Sequence, residues 1–188
     1  MRLTPLKPDQ LDLVQQTLYH RINKGIEEHL KGFTSKQDDG ALLGPFNPMI
    51  HFPQYGYALW DYNTALAAGS TLPKTVREIA ILVVGTRFNA RYEIYAHEKV
   101  AQLVGLPENK VATISAGQRP ADLTEEEGLG YDVAAILSKG GQLPELLYQL
   151  AKIKFGDDGL AELVHLVGCY CLVSVLLNAY DISVPDRE

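Results

Sequence analysis

Glu78, Glu93 and His97 are the residues of this chain whose types and spacing could move protons. They fall within one stretch, residues 77–100, REIAILVVGTRFNARYEIYAHEKV, most of whose other residues are apolar. Glu93 and His97 are four apart, the spacing that places two side chains on one face of a helix. A carboxylate beside an imidazole raises its basicity, selects one tautomer and stabilises the imidazolium. Such a pair can take a proton from one substrate atom and return it to another. Glu78 sits in REIAILVV, where an unpaired carboxyl group is costly, so it is expected to face a partner or a cavity. Arg77 and Arg87 are the nearby cations, as partners or as anchors for an anionic substrate. HEKV is not a zinc-protease motif, because residue 101 is Ala where a second His would stand. No spacing rule supports a metal held by these three side chains, and none is expected.

The stretch contains no sulfur. The two cysteines, Cys169 and Cys171, lie far along the chain. Two apart on a helix, they point to nearly opposite sides and cannot bridge each other. They are expected to be small buried hydrophobes in a reducing, cytoplasmic setting.

The elements that must position these groups are helical. Pro8 is expected to open a helix over DQLDLVQQTLYHRINKGIEEHL, followed by a polar loop over residues 34–44. A short helical turn lies between Pro45 and Pro53, and an aromatic-rich helix then runs to Gly69. Helices are expected from about Lys74 to Arg87 and, past a cap or kink at Asn89, through His97 to about Val104. Gly105 and Pro107 separate these from ENKVATISAG, and Thr124 with Glu127 makes a capping box before the next helix. Pro144 opens a segment closed by Gly156, and Asp157 or Asp158 caps the last long helix. No alternating strand pattern or repeat is present. The expectation is an all-α chain of about eight helices, one domain over residues 1–188.

Bulk composition narrows the function classes. A net charge of −6 leaves no basic stripe to neutralise phosphates, which argues against nucleic acid. The amino-terminal residues lack the apolar run of a secretory signal. The longest apolar stretch, Leu160 to Ala179, is interrupted by Glu162 and His165, so no membrane segment is expected.

Residues 77–107 resemble the core of the carboxymuconolactone decarboxylase-like proteins, which include the alkylhydroperoxidase AhpD proteins. GPFNPMIHFPQYGYALWDYNTALAAGSTLP resembles the segment before that core, and GLAELVHLVGCYCLVSVLLNAYDI resembles the closing helix; the resemblance spans residues 40–182. It implies an AhpD-like fold, a small-molecule substrate and a homo-oligomer, whether dimer, trimer or hexamer. In the peroxidase branch a glutamate precedes a CxxC pair and a histidine follows it. Glu78 and His97 fall on those two positions, but Ala90 and Glu93 stand where the cysteines would be. A dithiol peroxidase needs a thiolate and a resolving thiol, so that activity is disfavoured. The decarboxylase branch carries a glutamate four residues before a histidine, as Glu93 and His97 do. That implies acid–base chemistry on a small organic acid, lactone or polyketide-like compound, with no cofactor where the substrate holds the developing charge.

The resemblance implies that the segment from Asn47 to Trp60 covers the Glu93–His97 face. Substrate-binding roles are then expected for Asn47, His51, Trp60, Tyr92, Tyr95 and Arg87, against the blander reading of the tyrosines as helix contacts. His165 is expected to be a satisfied core histidine. In the enzyme reading His97 is the general acid–base, Glu93 orients it and Glu78 relays or stabilises charge. The alternatives are a non-catalytic ligand-binding member and, more weakly, a metal-dependent enzyme. The first rival turns on whether Glu93 and His97 face a cavity or a closed ion-pair network.

Overall fold

The computed structural model describes residues 1–185. Eight α-helices follow a short 3-10 turn at Pro8–Gln10, and no strand is present among the described residues. They are α1 (Leu13–His29), α2 (Phe46–His51), α3 (Pro53–Ala68), α4 (Lys74–Phe88), α5 (Arg91–Leu103), α6 (Glu108–Ser115), α7 (Glu125–Leu137) and α8 (Glu145–Ala179).

Local chemistry accounts for most boundaries. Thr124 and Glu127 form the expected reciprocal cap on α7. Pro8 does not open α1, as the sequence suggested. It starts the separate 3-10 turn, and Asp12 caps α1 through a capping box with Gln15. The loop after α1 is pinched by a bridge between Lys36 and Leu42. Gly156, at φ 72°, breaks the helical geometry inside α8, so residues on either side form two segments in tandem.

α4 is the central element. Val76 and all residues from Glu78 to Gly85 are buried, and the helix packs against α5, α6, α7 and α8. An element apolar on all sides belongs in the middle of a core. A second cluster joins α1, α2 and α3 around Leu18, Ile22, Phe46 and Leu59. In α8 the apolar composition and length would also suit a membrane span, but half of its most apolar window is buried in this fold.

The α4–α5 turn matters most for chemistry. Asn89 takes a left-handed conformation at φ 51°, and Ala90 N–H donates to Gly85 O at 2.9 Å. Asparagine tolerates this backbone better than other non-glycine residues. The chain therefore reverses within two residues, and α5 folds back along α4. Gly85 lets the helices close in, since a Cβ there would meet Glu93 Cγ at 3.2 Å.

Candidate active site

The fold-back brings Glu78, 19 residues earlier in the chain, against His97. His97 Nδ1 donates to Glu78 Oε2 at 2.7 Å. On the other edge of the ring, His97 Nε2 lies 3.2 Å from Glu93 Oε1. That second contact is off the line a hydrogen bond requires, and Glu93 Oε1 is buried with no hydrogen-bond partner among the described residues. The orienting bond is thus Glu78's and not Glu93's, which reverses the roles that the i,i+4 spacing suggested. A carboxylate on Nδ1 holds the ring with Nε2 as the edge left for proton exchange.

Burial sets the electrostatics. Glu93 is 3% exposed. Desolvation is the main force lifting its pKa, with the Glu78 charge adding and His97 opposing, so the carboxyl is pushed up to about 7. For His97, burial alone would disfavour the charged ring, but the charges of Glu78 and Glu93 and the Glu78 hydrogen bond outweigh it and raise its pKa.

A residue that sequence reasoning missed completes it. Tyr170, on α8, sets its ring edge-on to His97 with centroids 5.1 Å apart. Its hydroxyl has no hydrogen-bond partner among the described residues, and burial followed by the charges of Glu93 and Glu78 pushes its pKa up. Only a weak signal pointed to it: a polar-tipped aromatic on an apolar helix.

These side chains open onto a cavity of about 730 Å³. Each helix contributes one stripe at helical spacing: Trp60, Thr64 and Ala67 from α3; Lys74, Arg77, Glu78 and Ile81 from α4; Glu93, His97 and Val100 from α5, with Val104 just past its end. α1 forms a further wall, and its Gly25 has a local reason. A Cβ there would stand 2.5 Å from Trp60 Cζ2, so the bare backbone makes room for the indole. A smaller cavity of about 210 Å³ at the α4–α5 turn contains none of the acid–base residues.

Other expected site residues are placed elsewhere. Asn47 donates to Leu3 O at 3.0 Å and His51 Nε2 lies 2.9 Å from Thr4 O, so both hold the amino-terminal arm and neither lines the cavity. Arg87 is exposed and outside the cavity, because it lies on the opposite side of α4 from Glu78. Tyr92 does line the cavity, but its hydroxyl donates to Thr34 O at 2.7 Å, leaving only its ring for a ligand. Tyr95 accepts from Thr34 N–H at 3.1 Å and lies outside the cavity. His165 is exposed, 2.7 Å from the Tyr62 hydroxyl, and is not a core histidine. Arg77 reaches the cavity but is ion-paired with Glu162.

Sulfur also needs revision. Folding brings buried Cys169 close enough to Glu93 to feel its charge. Burial first and that charge second push the thiol up to about 12, away from the thiolate. Among the described residues no group of three or more His, Cys, Asp or Glu side chains is arranged to hold a metal ion.

Neither a protein-family model nor a curated protein sequence matches this chain. Solved structures do. The chain superposes on an uncharacterized peroxidase-related protein from Ralstonia eutropha JMP134, described as an alkylhydroperoxidase AhpD core, with a TM-score of 0.79 and 16% identity. That match covers 98% of this chain and 92% of the other. It also superposes on the debrominase Bmp8. A cysteine-to-alanine variant in complex with 2,3,4-tribromopyrrole gives a TM-score of 0.74 and 13% identity, covering 98% and 91%. The apo form gives 0.74 and 15%, covering 97% and 91%. At such identities the likeness shows the fold alone: the chain has the AhpD-like all-α architecture that its sequence resembles.

Proposed function

We propose that this protein is a cofactor-independent acid–base enzyme of decarboxylase, isomerase or dehydratase type, acting on a small organic acid, lactone or polyketide-like compound. The observation that carries this reading is a buried carboxylate–imidazole–carboxylate set facing a cavity, with Glu93 Oε1 lacking any hydrogen bond. A closed ion-pair network would have satisfied that oxygen. An unsatisfied buried oxygen with a pKa of about 7 suits a group that alternately holds and releases a proton.

The geometry supports a division of labour. Glu78 fixes the ring through Nδ1 and sustains its positive charge. Ionised Glu93 takes a proton from the carbon beside a substrate carbonyl, while the imidazolium donates from Nε2 to the oxygen where charge develops. Returning the proton to a different carbon completes an isomerisation. Loss of carbon dioxide from a β-keto acid gives the same enol without the first proton transfer. The Tyr170 hydroxyl is a second donor for the enolate oxygen.

Thiol peroxidase chemistry remains disfavoured, since Ala90 and Glu93 hold the motif positions and the nearby Cys169 resists ionisation. Bmp8 is recorded with a bromopyrrole. The rings of Phe33, Phe46, Trp60 and Tyr92 would suit a planar ligand here as well. The reading includes a homo-oligomer, for which Val164, Leu172 and Val175 offer an exposed apolar stripe on α8.

The test is turnover or solvent deuterium exchange across a panel of cyclic β-keto acids and lactones. His97→Ala is expected to reduce the rate by about 10²–10⁴-fold with the helical fold intact. Turnover undiminished in that variant would overturn the assignment.

A further inference from the structure

The cavity above His97 has an electrostatic direction. Its buried end carries Glu78 and Glu93, whereas its exposed lining includes Arg21, Lys24, Lys31 and Lys74, with Glu28 as the one exposed carboxylate among them. Arg21 and Lys24, three apart, share one face of α1, and Lys31 follows just past the end of that helix. On α4, Lys74 stands one turn from Glu78, about 6 Å along the axis. In a chain of net charge −6, this gathering of cations at one mouth is a local exception.

Several of these cations are committed elsewhere. Arg21 pairs with Asp61, and Lys31 donates to the Glu27 carbonyl. Lys24 has only a loose contact with Glu28, at 3.9 Å. Lys74 makes no ion pair with any described residue. Lys24 and Lys74 are therefore the cations free to meet a ligand. Between mouth and floor the walls are apolar and aromatic, with Phe33, Phe46, Trp60, Tyr92 and Leu103. An isolated small acid would leave most of a cavity of about 730 Å³ unfilled, a size typical of sites for drug-sized ligands.

We infer that the cavity takes an elongated aromatic anion, its rings against Trp60, Phe46 and Tyr92, its anionic end at Lys24 and Lys74, and its uncharged end toward His97. The opposite orientation would press an anion against Glu78 and Glu93 where water cannot screen them. The unbonded Glu93 Oε1 independently marks the inner end as the place for a polar, uncharged group. What happens at His97 rests on the acid–base reading above; the orientation of the ligand does not.

The experiment uses two fluorescent probes of similar aromatic body, 1-anilinonaphthalene-8-sulfonate and neutral N-phenyl-1-naphthylamine. Both are expected to bind the full chain. The double variant Lys24→Ala/Lys74→Ala should weaken the sulfonate about tenfold at low salt, two exposed charges acting together, and leave the neutral probe within about twofold. Lys139→Ala, an exposed charge outside the cavity, should change neither. Failure of either probe to bind, equal weakening of both, no weakening of the sulfonate, or an equal effect from Lys139→Ala would each overturn the inference. His97→Ala should retain sulfonate binding while losing turnover. Loss of the charge preference with His97-dependent turnover intact would refute this inference alone. Intact preference with turnover indifferent to His97 would refute only the acid–base reading.

Discussion

Glu162 and Glu93 are both buried glutamates on helices that line or flank the same cavity, yet their surroundings drive them in opposite directions. Glu162 is 8% exposed and Glu93 3%. Burial opposes ionisation in both. Around Glu162 that penalty is overcome by five donors: the backbone N–H groups of Thr71 and Leu72, the hydroxyls of Ser70 and Thr71, and the Arg77 guanidinium. Its pKa falls below the usual carboxylate value. Glu93 has one imidazole at poor angle and a second carboxylate nearby, and its pKa rises to about 7. The contrast separates structure from chemistry. A carboxylate saturated with donors pins the α3–α4 connection and holds Arg77. One left short of donors has no structural explanation and is free to exchange a proton.

The sharpest way to break this comparison is Glu162→Ala. It strands the Arg77 guanidinium and two backbone N–H groups, and urea unfolding at pH 7 should show a loss of about 3–5 kcal/mol. A variant as stable as the parent would mean that donor saturation does not distinguish the two sites. Glu93→Gln should act in the opposite sense. The folded protein holds the Glu93 proton up to about pH 7 and the unfolded chain releases it near 4.5, so wild-type stability from this group falls as pH rises between those values. The variant should therefore match wild type near pH 4 and exceed it at pH 8, by on the order of 2–3 kcal/mol. In the presence of a substrate, it should also remove the inflection near neutrality from the rate profile.

Glu78→Gln is expected to cost less, about 1–2 kcal/mol in mildly acidic solution where the bond to charged His97 counts. Its distinguishing mark is a downward shift of the His97 titration followed by ring-nitrogen NMR, since the stability raised by His97 protonation is lost as pH rises through its folded pKa. An unmoved His97 titration would sink the orienting role of Glu78. Tyr170→Phe should be the mildest, within about 0.5 kcal/mol of wild type in thermal unfolding, because its hydroxyl has no partner among the described residues to lose. A clear destabilisation would place that hydroxyl in a structural bond and out of the cavity chemistry.

Local residue patterns made much of the scaffold legible. Helical periodicity, the Thr124–Glu127 box and the glycine and proline boundaries produced the observed helix order. They erred where two signals competed: Pro8 marked a 3-10 turn while the Asp12–Gln15 box marked the start of α1. Asn178 on α8 donates across helices to Phe88 O at 2.7 Å, a contact no local pattern specified. Glu78, Glu93, His97 and Trp60 were picked out by type and do line the cavity, whereas Arg87 on α4 and Tyr95 on α5 were picked out and do not. Direction around a helix depends on what it packs against, which residue type leaves open. Asn47 and His51 looked like pocket residues by proximity and composition, but α2 turns them toward the amino-terminal arm.

By itself, the sequence determined that Glu93 and His97 would share a helix face, since an interval of four residues fixes direction through the helical repeat. It also determined that the peroxidase motif positions lack sulfur, which is a matter of residue identity. Only the tertiary structure decided which carboxylate orients the imidazole and which is left without a bond. That choice follows from how closely α5 folds back on α4 past Asn89 and Gly85. It likewise decided that Tyr170 closes the site and that Glu162 takes Arg77 away from it. Hydrogen bonds and desolvation depend on distances between elements far apart in the chain, and no local spacing encodes them.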